Sequence, residues 1–332
     1  MDNWQTTFTK ERLAAASQRF GINPETARRI GGFENILYGY RSKGRDLVLR
    51  VSHSSHRPAD QILAELNWVG YLADNGASVA KPVPSDLGSL IEVMEADRGY
   101  FTLTGFERAP GGHADARHGE WGTKLFEAWG QLTAEMHALA KTYNVTRGMP
   151  VRPDQDTLAF DTESFASPEE WGAWRKYAEV SEAISALPRG REGFGLCHRD
   201  LHHGNFFVSD GRITAFDFDD CGYDYFVQDI AMAVYYASVF PVWNGPLYDN
   251  DEISAFANRF LQHFMKGYNR AGRLGDEWLR ELPLFIERRR SDLCLILFNA
   301  WSAESASDAR RKWLVHNLAE IRSGVPCMAL DV

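Results

Sequence analysis

Between Leu196 and Asp220 the chain reads LCHRDLHHGNFFVSDGRITAFDFDD, with three histidines, five aspartates and an asparagine set between short apolar runs. FGLC leads into the stretch and could end a buried strand. NFFV and RITAF are β-like, and the SDG between them is a turn signal. His198 to Gly204 therefore reads as a loop entering a hairpin, and Asp217 as a residue leaving it. Folding the hairpin predicts Asn205, at its start, near Asp217, at its end. Two oxygen ligands facing one spot suit Mg2+, which prefers hard oxygen donors and keeps the rest of its shell for water and phosphate. Asp200, in the loop beside them, could orient a hydroxyl or accept its proton. Asp219 fits two roles equally, a second metal carboxylate or a capping residue for the next element of the chain. The plainer alternative for the whole stretch is an Asp-rich turn with ordinary side-chain-to-backbone hydrogen bonds. A zinc site from His198, His202 and His203 lacks a fitting partner motif.

The elements around this island divide the chain. Thr9 can cap a helix running through Arg19 and ended by Gly21. The runs ARRIGG, NILYGYRS and DLVLRVS are β-like, and Ser42 to Asp46 (SKGRD) reads as the hairpin turn between the last two. Pro58 opens a helix closed by Gly76, with Ile62, Leu66, Val69 and Leu72 as its buried stripe. SLIEVMEA and YFTLTGF are strands split by a turn at Asp97-Arg98-Gly99. The order predicts a small antiparallel sheet with one helix packed on it. Near Phe106 the composition changes to a polar Pro/Gly segment, ERAPGGHADARHGE, read as a linker. After it, helices are expected from about Trp121 to Tyr143, from a capping box at Ser167, Pro168 and Glu170, and over about 225–239, 251–270, 277–299 with an interruption near Pro283, and 307–321. This organisation predicts two domains, 1–106 and 107–332.

The spacing His198-x-Asp200-x-x-x-x-Asn205, with Asp217 twelve residues later, resembles the catalytic loop and metal aspartate of the protein-kinase-like superfamily. More closely it resembles the aminoglycoside phosphotransferase and choline kinase branch, in a homoserine-kinase-like or stress-response-kinase-like subgroup. The resemblance implies a bilobal α+β fold, with a small antiparallel β-sheet N-lobe that binds nucleotide and a larger, mostly helical C-lobe. It implies Mg2+ as cofactor and ATP as co-substrate. IGGFENILYGY is similar to that family's nucleotide loop, which implicates Gly31, Gly32 and Asn35. LVLRVS is similar to the strand bearing its phosphate-binding basic residue, here Arg50, and the following helix supplies the ion-pair partner, Glu65. By the same resemblance Asp200 is the base or hydroxyl-orienting carboxylate, and His198 packs under the loop and hydrogen-bonds its backbone. Asn205 and Asp217 hold the metal, and Asp229 supports the catalytic loop. Two positions depart from the pattern. Arg50 stands where kinases usually carry lysine, and Arg199 gives the HRD of a protein kinase.

Composition bounds the partners. The 332 residues suit two lobes. A net charge of −9 argues against nucleic acid and is compatible with a cationic substrate. No apolar run reaches the length of a membrane span, and the first residues lack the order of a secretion signal. Cys197, Cys221, Cys294 and Cys327 are scattered without a CxxC pair, as expected of a reducing, cytoplasmic protein. Trp121, Trp129, Trp171, Trp174, Trp243, Trp278, Trp301 and Trp313 offer aromatic walls that could hold an ammonium, although most recur at core spacing. The expected activity is transfer of the γ-phosphoryl group of ATP to a hydroxyl of a small molecule, an amine-bearing metabolite or antibiotic. The alternatives are a compact bacterial Ser/Thr protein kinase and a non-catalytic nucleotide-binding pseudokinase or coat-type protein.

Overall fold

Leu47, Leu49 and Val51 alternate along one strand and share a core with Phe101 and Leu103 of its neighbour. That period of two fixes which face of the sheet is buried. The computed structural model describes residues 4–32, 34–115, 119–154, 167–240, 249–300 and 308–332. It divides into two compact units. The first comprises Met1–Pro110, Tyr143–Pro153 and Thr214–Asp219, and the second comprises Gly111–Thr142, Asp154–Ile213 and Asp220–Val332. The division differs from a single cut at 106 because two later segments belong with the sheet. Thr214–Asp219 does so through backbone bonds, Ala80 N–H to the Ala215 carbonyl at 2.8 Å and Ala215 N–H to the Ser78 carbonyl at 3.0 Å.

The first unit contains α1 (Lys10–Phe20), β1 (Arg28–Gly31), β2 (Ile36–Ser42), β3 (Arg45–His53), α2 (Ala59–Asp74), β4 (Pro82–Val83), β5 (Glu92–Glu95) and β6 (Tyr100–Glu107). The strands run antiparallel in the order β1-β2-β3-β6-β4, with β5 also on β6. Lys43 and Gly44, both at positive φ, close the β2–β3 turn, the conformation a two-residue hairpin needs. Thr9 caps α1 and Gly21 ends it in a left-handed turn. The sheet carries more than the one expected helix, since Ala16 and Phe20 of α1 join the core cluster with Ile36, Tyr40 and Leu47. On α2 the expected stripe Ile62, Leu66, Val69 and Leu72 is buried.

The second unit holds α3 (Thr123–Ala140), α4 (Pro168–Ser185), β7 (Phe194–Cys197), β8 (Phe206–Ser209), β9 (Arg212–Ala215, whose last two residues fall in the first unit), β10 (Gly222–Tyr225), α5 (Phe226–Val239), α6 (Asn250–Ala271), α7 (Asp276–Leu279), α8 (Leu282–Ala300) and α9 (Asp308–Ser323). Ser167, Pro168 and Glu170 form the expected capping box. Gly222–Tyr225, at the start of the helix expected over about 225–239, is a strand paired with β7. α3 packs on α6, and α8 lies among α4, α5 and α9. Every residue of α5 is buried. Trp129 and Trp313 are core, Trp278 is buried and Trp171 is exposed, while Trp243 and Trp301 lie outside the described residues. Among the described residues no helix is long and apolar enough to cross a membrane.

The α3–α6 contact depends on two glycines. A Cβ on Gly130 would lie 1.9 Å from the Phe264 carbonyl oxygen, and one on Gly267 would lie 1.8 Å from that of Glu127. The helix backbones meet where neither side chain exists. Gly267→Ala should therefore destabilise the protein by about 1–3 kcal/mol, since the helices must part. Equilibrium denaturation measures this, and an unchanged midpoint would contradict the close approach.

Candidate active site

In the second unit one buried carboxylate organises the loop after β7. Asp229, in the first turn of α5, accepts the backbone N–H of His198 at 3.0 Å and that of Arg199 at 2.7 Å. His137 of α3 adds its Nε2 at 3.1 Å. Burial opposes the charge on Asp229, but His137, His198 and the Arg199 N–H hold its carboxyl below the ordinary range. With its entry fixed, the loop turns on itself. Arg199 takes a left-handed φ of 69°. His198, which is buried, accepts the Asp200 N–H on Nδ1 at 3.3 Å. Asn205 Nδ2 donates to both the backbone oxygen and the Oδ2 of Asp200, each at 2.9 Å. Two acceptors at one end of an amide identify that end as NH2, so the oxygen donor of Asn205 is left for another partner. Asp200 Oδ1 is buried and has no hydrogen-bond partner among the described residues.

The charge on Asp200 is maintained from several sides. Burial works against it, and His202, Arg289 and His198 together bring its carboxyl below the usual value. His202 Nε2 lies 3.5 Å away and Arg289 Nη2 lies 3.8 Å away. Arg199 turns elsewhere, 3.5 Å from the fully buried Asp224 of β10, which Arg288 also approaches at 3.1 Å. The arginine of HRD is thus an internal ion-pair partner. His203 is buried, edge-on to Trp121 at 5.3 Å between ring centroids, and is not grouped with His198 and His202 as a metal site among the described residues.

The first unit holds the phosphate-binding candidates. Arg50 on β3 and Glu65 on α2 make a parallel fork, Nη1 to Oε1 and Nη2 to Oε2, both at 2.8 Å, with both residues buried. Burial opposes the charge on Arg50, and Glu65, Asp219 and Asp217 together raise its pKa above the usual value. The fork gives a reason for arginine here. Lysine would offer a single point charge, whereas a guanidinium engages both carboxylate oxygens and keeps three more N–H groups, including a buried Nε without a partner among the described residues. Between β1 and β2, Gly32 has φ 110°, and a Cβ there would lie 1.9 Å from the Asn35 carbonyl oxygen, so only glycine closes this loop. Gly31 faces open space, and Asn35 is buried with its Oδ1 lacking a partner among the described residues.

Asp217 is exposed at a left-handed φ of 63°. Asp219, two residues on, is buried, and its oxygens are occupied. His56 Nε2 is 2.6 Å from Oδ2, and Arg57 donates through Nε and Nη2 at 3.2 and 3.3 Å. Arg152 Nη2 donates to the Asp219 backbone oxygen at 2.7 Å, and His56 also lies 3.3 Å from Glu34. Burial alone would raise the Asp219 carboxyl, but His56, Arg50 and Arg57 hold it far below the ordinary range. Asp219, which the sequence leaves equally a second metal carboxylate or a capping residue, is engaged here by Arg57 and His56, and its carboxylate lies within metal-ligand reach of Glu34 and His56. Asn205 and Asp217, the other oxygen ligands expected for Mg2+, fall in different units. His56, Arg57, Arg152, Asp224 and Arg289 were not singled out from sequence. Only the basic triplet Arg288-Arg289-Arg290 within α8 offered a signal.

The charges lead to two expected outcomes. Arg50→Lys, which keeps the charge and breaks the fork, should lower stability by about 1–3 kcal/mol and raise the KM for ATP. Thermal unfolding and steady-state kinetics measure the two effects, and a silent variant would refute the fork's role. Burial, with His202 and His113, pushes the His203 pKa down to about 3. The unfolded chain takes up this proton near the ordinary value of about 6.5, so the fold is the form that refuses it. Stability then falls as pH drops from about 6.5 toward 3, by up to about 1.4 kcal/mol per pH unit. His203→Phe should flatten that slope by close to one proton in pH-dependent denaturation.

Known proteins resemble this chain in sequence and fold. The family described as "Phosphotransferase enzyme family" matches residues 26–274. Amicoumacin kinase of Bacillus subtilis (strain 168) is 32% identical over 321 residues, covering 96% of this chain and 94% of that protein. The structure of amicoumacin kinase hAmiN in complex with AMP-PNP, Ca2+ and Ami matches with a TM-score of 0.89 and 31% identity, over 100% of this chain and 98% of the other. A microcompartment-associated aminopropanol kinase, 22% identical with a TM-score of 0.74 over 94% and 96% of the two chains, shares the fold. A match of that extent to the family, and of that identity over nearly the whole of a relative, means that the chain belongs to the phosphotransferase enzyme family and is a small-molecule kinase of protein-kinase-like α+β fold.

Proposed function

We propose that this enzyme transfers the γ-phosphoryl group of ATP to a hydroxyl of an amine-bearing small molecule, and that the molecule is amicoumacin or a close analogue. The observation that carries the catalytic reading is the state of Asp200. One oxygen is tied to Asn205, the other is buried and unbonded among the described residues, and the loop beneath is locked by His198 and Asp229. A carboxylate so prepared accepts a hydrogen bond from an alcohol and keeps the alcohol's oxygen directed at the phosphoryl group. Asn205 and Asp217 would hold Mg2+, which when bound neutralises charge on the phosphates. Arg50, fixed by Glu65, turns its remaining N–H groups to the phosphates, and the loop at Gly31, Gly32 and Asn35 lies against the nucleotide. Asp219 acts as the anchor for the segment bearing Asp217. The acceptor's identity draws support from the amicoumacin kinases, similar over nearly the full length of both chains.

The acidic chain, its net charge of −9, and its free buried cysteines support a cytoplasmic enzyme that takes a cationic acceptor and no nucleic acid. Arg199, the residue that raised a protein substrate, is spent on Asp224.

The test is phosphotransfer from ATP to amicoumacin, with mass spectrometry of the product and casein as the protein control. Asp200→Asn should cut kcat by roughly 10²–10⁴-fold and leave the KM for ATP nearly unchanged. Asp217→Asn should weaken Mg2+-nucleotide binding as well. Wild-type turnover in Asp200→Asn would remove the role given to that residue, and phosphorylated casein with untouched amicoumacin would remove the small-molecule acceptor.

A further inference from the structure

Arg289 of α8 sits beside Asp200 without closing an ion pair. Its Nη2 is 3.8 Å from Asp200 Oδ1, beyond hydrogen-bond reach. The guanidinium is held by other groups. Nη2 donates to the Tyr236 hydroxyl at 2.5 Å, and Nη1 donates to Asp292 at 3.4 and 3.5 Å. Arg289 lies over the Tyr236 ring, 5.2 Å from Cζ to centroid, and His202 stacks on the same ring at 4.6 Å. After these contacts two polar atoms of the cluster remain buried without a hydrogen-bond partner among the described residues, Arg289 Nε and Asp200 Oδ1. One is a donor and the other an acceptor. The Arg289 and Asp200 side chains keep 16% and 24% of their exposure through atoms other than these two.

We propose that Arg289 contacts the acceptor itself, its Nε–H donating to the same substrate hydroxyl that donates to Asp200 Oδ1. The proposal rests on the phosphotransferase reading above and names a further residue for it. A hydroxyl has one hydrogen to give and two lone pairs to receive, so it satisfies both orphaned atoms at once. An ammonium has only donors and leaves the Nε–H unmet. A carboxylate has only acceptors and is repelled by Asp200. The two atoms together thus select an alcohol, and the amine of an amine-bearing acceptor is recognised elsewhere. Asp292 and Tyr236 serve as positioning residues, since they fix the guanidinium without needing to touch the substrate.

The experiment is steady-state phosphotransfer from ATP to amicoumacin by the full chain, comparing Arg289→Lys and Tyr236→Phe with wild type. Arg289→Lys keeps the charge and removes the Nε–H. It should raise the KM for amicoumacin about tenfold or more, while the KM for ATP moves about twofold or less. Tyr236→Phe removes only the hydroxyl that Arg289 donates to, and should raise the acceptor KM several-fold with an unchanged melting temperature. It decides the matter if Arg289→Lys fails to fold. Equal rises in both KM values point to a structural role and overturn the proposal, as does an unaltered acceptor KM. A wild-type chain that leaves amicoumacin unmodified overturns the reading beneath the proposal, and the proposal with it.

Discussion

A carboxylate that no solvent reaches holds two consecutive peptide N–H groups, and the chemistry of the second unit starts from that grip. Asp229 carries its charge in the interior because His137 and the His198 and Arg199 amides share it. A charge so placed is costly to bury and costlier to leave unmatched. The loop is therefore bound to one conformation, and Arg199 accepts a left-handed backbone as part of it. The remaining contacts build on that conformation. Asp200 finds the His198 ring through its own amide, Asn205 reaches back to Asp200, and a carboxylate oxygen is left over. The state of Asp200 is set by what its neighbours have already used.

The first unit solves its electrostatic problem in a related way. Arg50 and Glu65 desolvate each other, and the fork geometry spends two of the five guanidinium N–H groups while keeping the charge in place. Asp219 collects His56, Arg57 and Arg152 from segments far apart in sequence. In each unit a buried acid stands near a less buried one: Asp229 holds the loop that carries Asp200, and Asp219 lies two residues from Asp217.

Much of this was legible from residues alone where the signal is local. The turn at Lys43-Gly44, the capping box at Ser167 to Glu170 and the stripe on α2 each depend on neighbours a few positions apart, and each stands where the pattern placed it. The Arg50–Glu65 pair came through resemblance, and the structure supplies its reason. β10 was missed because Gly222 to Tyr225 has no alternation of its own and becomes a strand by pairing with β7. His56, Arg57 and Arg152 were missed because nothing near them in sequence marks a shared carboxylate at position 219. Arg289 was not singled out from the sequence. Its burial arises from α8 being enclosed by α4, α5 and α9, a property of the packing and not of the helix.

The division of the chain has a consequence for how such an enzyme can be taken apart. The polypeptide passes between its two units five times, after residues 110, 142, 153, 213 and 219. A gene fragment ending near the first passage would encode the sheet with His56 and Arg57 but without Asp219, the carboxylate both of them engage, or Arg152. The sheet-bearing unit is therefore not a transplantable module. Recombination between relatives at that seam would separate groups that solve one charge-balance problem together, and viable chimaeras must inherit the early strands and the short segments around 152 and 219 from the same parent.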